Sequence, residues 1–108
     1  MHDELILNIS DAFLQSELIC ESKKIGHVYL WTPKLVTTEF GDEYWCYFKI
    51  VGFGKSRVDY SIGIDNMQSV ILALKTIGTV LRNSKFAKMR KQESLKRWDN
   101  FGFPSFDE

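Results

Sequence analysis

Few side chains in this sequence could carry a reaction. His27 is the one histidine outside the amino-terminal Met1-His2-Asp3-Glu4. An imidazole titrates near neutrality and can act as general acid or base, but only beside a nucleophile, a carboxylate or a metal. Asp42 and Glu43 are adjacent carboxylates on a segment that reads as a loop, where solvation is the ordinary fate of such a pair. Cys20 and Cys46 are too widely spaced for a redox Cys-x-x-Cys or a zinc pattern, and read as buried thiols. Gly52-Phe53-Gly54 joins two strands instead of opening a helix, so it is no phosphate cradle. Asp65 reads as a helix cap. These residues supply no convergent set. The expectation is a non-enzymatic protein with no metal and no cofactor; a small-molecule enzyme using His27 as its acid/base ranks last among the readings.

Binding chemistry is better represented. Aromatic residues make up 14% of the chain, more than one small core absorbs, and net charge is zero. Residues 1–54 hold four Lys/Arg against eight Asp/Glu, while residues 55–108 hold ten against six. The acidic half can steer association with a basic partner. Lys85, Lys88, Arg90, Lys91, Lys96 and Arg97 concentrate the opposite charge in one run, and with Phe86 and Trp98 they raise nucleic acid as an alternative partner. Lys91-Gln92-Glu93 interrupts that run and no RNA-binding motif accompanies it, so a solvated basic segment is the stronger reading.

The elements that must position these residues follow from periodicity. Asp65 followed by Gln68 makes a capping-box pattern. Met67, Val70, Ile71, Leu74, Ile77, Gly78 and Leu81 then recur at helical spacing, which predicts a core-facing helix to about Asn83, with Gln68, Ser69, Lys75, Thr76, Thr79 and Arg82 on its other side. Before the helix, alternation dominates. Strands are expected over Phe13 to Cys20, His27 to Thr32, Tyr44 to Val51 and Arg57 to Ile64. Ser22 to Gly26 reads as a hairpin connection and Pro33 to Glu43 as a loop; Leu5 to Ile9 fits a short strand or a helical turn equally. The expected fold is α+β: an antiparallel four-stranded meander with one long amphipathic helix on one face and an aromatic C-terminal segment. Residues 1–108 read as one domain, with 1–9 unassigned and 85–97 a basic helix or loop. No apolar run approaches the roughly 20 residues that span a bilayer. Met1-His2-Asp3-Glu4 lacks the basic start of a signal peptide, so a cytoplasmic protein is expected.

Several of these features occur together in one family. Tyr44-Trp45-Cys46-Tyr47-Phe48, the Gly52-Phe53-Gly54 turn, Gly63-Ile64-Asp65 with Gln68 to Leu74, then Trp98 and Gly102-Phe103-Pro104 resemble a group of small bacterial proteins known only as a domain of unknown function. The resemblance spans about Phe13 to Phe103. Its motifs are structural, and it implies no activity. By size and charge the chain is also similar, as a class, to the immunity proteins encoded beside contact-dependent and other polymorphic toxins.

If the helix covers Val28, Leu30, Phe48, Ile50, Val58, Tyr60 and Ile62, the other sheet face presents His27, Tyr29, Trp31, Trp45, Tyr47, Lys49, Arg57 and Asp59. Tyr29, Trp31, Trp45 and Tyr47 are then the expected anchors for a protein partner, and Glu17, Glu21, Glu39, Asp42 and Glu43 the acidic groups that steer it. Two other uses of that face are cover by Trp98, Phe101, Phe103 and Phe106, or a homodimer. The leading expectation is a protein-binding module, an immunity protein that occludes a cognate toxin; no membrane contact is expected.

Overall fold

The computed structural model of the chain describes residues 7–20, 22–52 and 55–83. Expectations placed on the basic run, on Glu21, on the Phe53-Gly54 turn and on the C-terminal aromatics lie outside those residues. The described chain is α+β, with β1 (Leu14–Cys20), β2 (Lys23–Leu30), β3 (Lys34–Thr38), β4 (Gly41–Gly52), β5 (Lys55–Gly63) and α1 (Asn66–Arg82). A single 3-10 turn, Ile9–Asp11, precedes β1, with the Asn8 side chain accepting from the Ser10 N–H. Of the stretch Leu5 to Ile9, Leu5 and Ile6 lie outside the described residues, Leu7 and Asn8 take no regular structure, and the turn begins at Ile9.

All pairings are antiparallel. The twelve-residue β4 is the spine of the sheet. β5 runs along one of its edges, β2 and β3 share the other, and β1 lies outside β2. β2 and β3 form one interrupted track. Leu30 opposes Phe48 and Lys34 opposes Trp45, so the track carries one residue more than β4 between those pairs. This is the signature of a bulge. Pro33 falls within it and has no N–H for the ladder, while the Trp31 N–H still reaches the Tyr47 carbonyl at 3.0 Å. The expected meander therefore holds, but with five strands in four tracks. The segment Pro33 to Glu43, read as a loop, contains β3 and a tight hairpin.

The helix begins as its sequence indicates. The Gln68 N–H donates to the Asp65 carboxylate at 2.7 Å, and the Gln68 side chain accepts from the Ile64 N–H at 2.8 Å. Asn83 closes the far end, its N–H on the Thr79 carbonyl. α1 lies over β4 and β5. Leu18, Val28, Leu30, Cys46, Phe48 and Ile50 from the sheet meet Ala73, Ile77 and Leu81, with Val70, Leu74 and Val80 partly buried around them. Each fully buried Leu, Ile or Phe here contributes about 1.5–3 kcal/mol.

Two expectations are corrected. First, the buried stripe of α1 is rotated: Ser69 and Ala73 are fully buried, while Met67 is 72% exposed and Ile71 is exposed too. The cause is close approach at Gly63, where a Cβ would lie 2.5 Å from the Ser69 nitrogen. Only a small residue such as Ser69, its hydroxyl turned back to the Asn66 carbonyl, can face the sheet at that point. Second, Val58, Tyr60 and Ile62 do not lie under the helix. The register closes on Gly52↔Lys55, so Tyr60 opposes Tyr47 and Val58 opposes Lys49. A connection of three residues, Gly52-Phe53-Gly54, would have placed Val58 opposite Phe48. One residue of register turns every side chain to the other face. The helix side of β5 instead carries Arg57, Asp59 and Ser61, the last donating to the Thr76 hydroxyl at 3.5 Å, because the Thr76 proton is committed to the Leu72 carbonyl.

Candidate functional site

Alternation along β2, β4 and β5, combined with this register, gathers most of the chain's described rings on the sheet face turned away from α1. Trp45 stacks on Tyr60 with centroids 4.6 Å apart, and Tyr47 lies 5.7 Å from Tyr60 and 6.4 Å from Trp45. On β2, His27 stacks on Tyr29 at 4.4 Å, and Tyr29 lies 6.2 Å from Trp31. Such offset and tilted pairs add about 0.5–1.5 kcal/mol each beyond their burial. Val58 and Ile62 border the cluster and are exposed.

The expected anchors divide here. Trp31 and Tyr47 are each 5% exposed, so they serve the fold and are not surface groups. The Trp31 indole N–H donates to the Asn8 carbonyl at 2.9 Å, which ties the segment before β1 across this end of the sheet. Burial, and secondarily the neighbouring Tyr60, hold the Tyr47 hydroxyl above its ordinary pKa. Tyr29 and Trp45 are half-buried. Tyr60, read from sequence as core, belongs to this cluster instead. Arg57 and Asp59, expected on this face, pair with one another at 3.2 Å on the helix side.

The second feature is the β3–β4 hairpin. Thr38 opposes Gly41, leaving Glu39 and Phe40 as the whole turn. The Thr38 hydroxyl accepts from the Phe40 N–H at 3.1 Å and donates to the Gly41 carbonyl at 2.9 Å. Gly41 has φ +122°, a conformation that glycine adopts without strain. Behind the turn, Thr37 donates to the Asp42 carboxylate at 3.0 Å and Trp45 donates from its indole to Glu43 at 3.0 Å. Glu43 and Trp45 thus share one face, Asp42 takes the other, and Glu39 is at the tip. Phe40 projects from this braced turn with 89% of its surface exposed. Sequence reasoning overlooked it, although a large apolar residue between Glu39 and Gly41-Asp42, where turns favour small or polar types, was a usable signal.

For catalysis the geometry offers little. His27 is partly covered and lies across from Glu17 and Val51, with no nucleophile beside it. The Cys46 thiol is fully buried, donates to the Trp31 carbonyl at 3.4 Å, and is pushed by burial up to about 12; a thiol so protonated is no nucleophile at neutral pH. Among the described residues no group of three or more His, Cys, Asp or Glu could hold a metal ion, and no helix is long and apolar enough to cross a membrane.

Residues 27–105 match the model of a family described as Domain of unknown function (DUF6968). The match opens at His27 and so leaves β1 outside it. No curated protein and no solved structure matches the chain.

Proposed function

The chain belongs to this family of unknown function, and we propose that it is a non-enzymatic protein-binding module, an immunity protein that neutralises a cognate toxin by covering its working surface. The observation that carries the reading is Phe40. An aromatic ring presented on a turn held by two Thr38 hydrogen bonds contributes little burial to its own fold. The braced turn presents the ring for insertion into a partner, and a pre-ordered backbone loses little entropy on binding. Glu39, Asp42 and Glu43 flank it along the chain, and within the paired span from Lys34 to Trp45 the only basic residue is Lys34. A ring rimmed by carboxylates complements an apolar pocket ringed by Lys and Arg, the kind of surface with which a nuclease holds its phosphate backbone. Filling that surface blocks substrate without chemistry.

Trp45 and Glu43 extend the contact from the tip onto the sheet. Acidic groups act chiefly on the association rate, and the aromatic anchor on dissociation.

The test is direct association with the product of the neighbouring gene, which the reading expects to be a large protein with a toxin as its C-terminal domain. A stable complex is expected, with association slowed at least severalfold by Asp42→Lys combined with Glu43→Lys. Failure to form any complex, together with salt-sensitive binding of single-stranded RNA, would overturn the reading in favour of a nucleic-acid partner.

A further inference from the structure

The β1–β2 hairpin contains an unsatisfied group that the proposed contact does not use. Both ring nitrogens of His27 are closed off from solvent and have no hydrogen-bond partner. The ring lies nearly flat on Tyr29, at an interplanar angle of 20°. Directly across on β1 is Glu17, and across on β4 is Val51. The Glu17 carboxylate is held by Lys24 at 3.5 Å. Lys49, opposite Tyr29, is the diagonal neighbour on the same face. Among the described residues, the titratable and charged groups around the imidazole are therefore Glu17 from β1, Lys24 and Tyr29 from β2, and Lys49 from β4.

A neutral imidazole in this seat forgoes two hydrogen bonds, one as donor and one as acceptor. A protonated one would bury a charge with two unpaired N–H donors, a larger cost. Among the described residues Glu17, its cross-strand neighbour, is the carboxylate placed to answer that charge, but it must leave Lys24 to do so. We propose that His27, Glu17 and Lys24 form an acid-sensitive latch: with His27 neutral, Glu17 rests on Lys24 and β1 stays paired, and on protonation the ring leaves Tyr29 or draws Glu17 away, loosening the edge strand.

Electrostatics agrees with the geometry. Burial is the larger influence holding the His27 imidazole below its ordinary value of 6.5, Lys24 adds to it, and Glu17 opposes both. A base whose pKa is depressed by folding leaves stability intact above its unfolded value. That stability is then lost as pH falls below 6.5 towards the folded-state value, because the unfolded chain binds the proton more readily.

The experiment compares urea unfolding of the wild type and His27→Phe at about pH 7.5 and about pH 5.5, with a parallel NMR titration of the wild type. Between those conditions the wild-type folded-to-unfolded ratio is expected to fall by up to about tenfold more than that of His27→Phe. The His27 resonance is expected to titrate below 6.5, with the β1 amides broadening first, and Glu17→Gln should move its midpoint lower still. Parallel behaviour of the two proteins, or a His27 midpoint at or above 6.5, would overturn the latch. An unmoved midpoint in Glu17→Gln would equally overturn it, because the carboxylate exchange would then play no part. The titration needs only the wild-type chain, so a His27→Phe protein that fails to fold leaves the test intact.

Discussion

Gly63→Ala is expected to destabilise this protein by more than its single methyl group suggests. Gly63 ends β5 where α1 turns back onto the sheet. A Cβ there would lie 2.5 Å from the Ser69 nitrogen, 2.9 Å from its Cα and 3.0 Å from the Gln68 carbonyl carbon. All three are backbone atoms of the helix's first turn. No side-chain rotation relieves the clash, so the helix or the strand end must shift. Overpacking of this kind costs typically about 1–3 kcal/mol, against which the reduced freedom of alanine in the unfolded chain returns only about 0.4–1 kcal/mol. The net expectation is a loss of about 1–2 kcal/mol, or roughly 4–16 °C in Tm for a domain of this size. Urea denaturation followed by tryptophan fluorescence measures it. Ser69→Ala, which trims a side chain without moving the Ser69 nitrogen, should not rescue the variant. A neutral or stabilised Gly63→Ala protein, or full rescue by Ser69→Ala, would refute the close approach and with it the rotated setting of the helix.

The rotation makes a further distinction: Ile77→Ala should cost about 2–5 kcal/mol as a core truncation, whereas Met67→Ala should stay within about 0.5 kcal/mol, both read by the same denaturation. Asp65→Ala removes the side chain that accepts from Gln68 and should cost about 1 kcal/mol, with Asp65→Asn recovering most of it. In a Cys20→Ser background, Cys46 should resist a thiol reagent at neutral pH and react only as denaturant unfolds the chain, because the native thiol is fully buried and its pKa is pushed up to about 12; rapid labelling of the folded protein would contradict its placement.

The helix and its cap were legible because Asp65 and Gln68 interact locally, three residues apart, and local hydrogen bonds are written in the sequence. The identity of the β2 and β4 core faces was legible for the same reason: alternation within one strand is local. What the alternation could not supply was the phase of one strand against the next. Val58, Tyr60 and Ile62 alternate as well as Phe48 and Ile50 do, and only the length of the turn between Gly52 and Lys55 decides which face they take. The rotation of α1 depended likewise on a contact between Gly63 and Ser69 that neither residue announces alone. At the candidate site, the aromatic types pointed to the correct sheet face. Their individual burial did not follow from type: Trp31 is buried, and its indole bonds to Asn8, twenty-three positions earlier. Phe40 escapes a reading by alternation because it sits in the turn of Pro33 to Glu43, a segment that reads as a loop from sequence.

The proposal that the β3–β4 tip is the contact surface is tested most directly by measuring the affinity of wild type and Phe40→Ala for the proposed partner, a toxin domain sought in the neighbouring gene's product, with Met67→Ala as an exposed apolar control outside the hairpin. Phe40 is 89% exposed, so unfolding of the variant should be little changed. A buried aromatic anchor lost from an interface costs about 2 kcal/mol or more, so Phe40→Ala is expected to bind at least about thirtyfold more weakly while Met67→Ala binds as the wild type does. Equal affinity of Phe40→Ala and wild type for that domain would contradict the account.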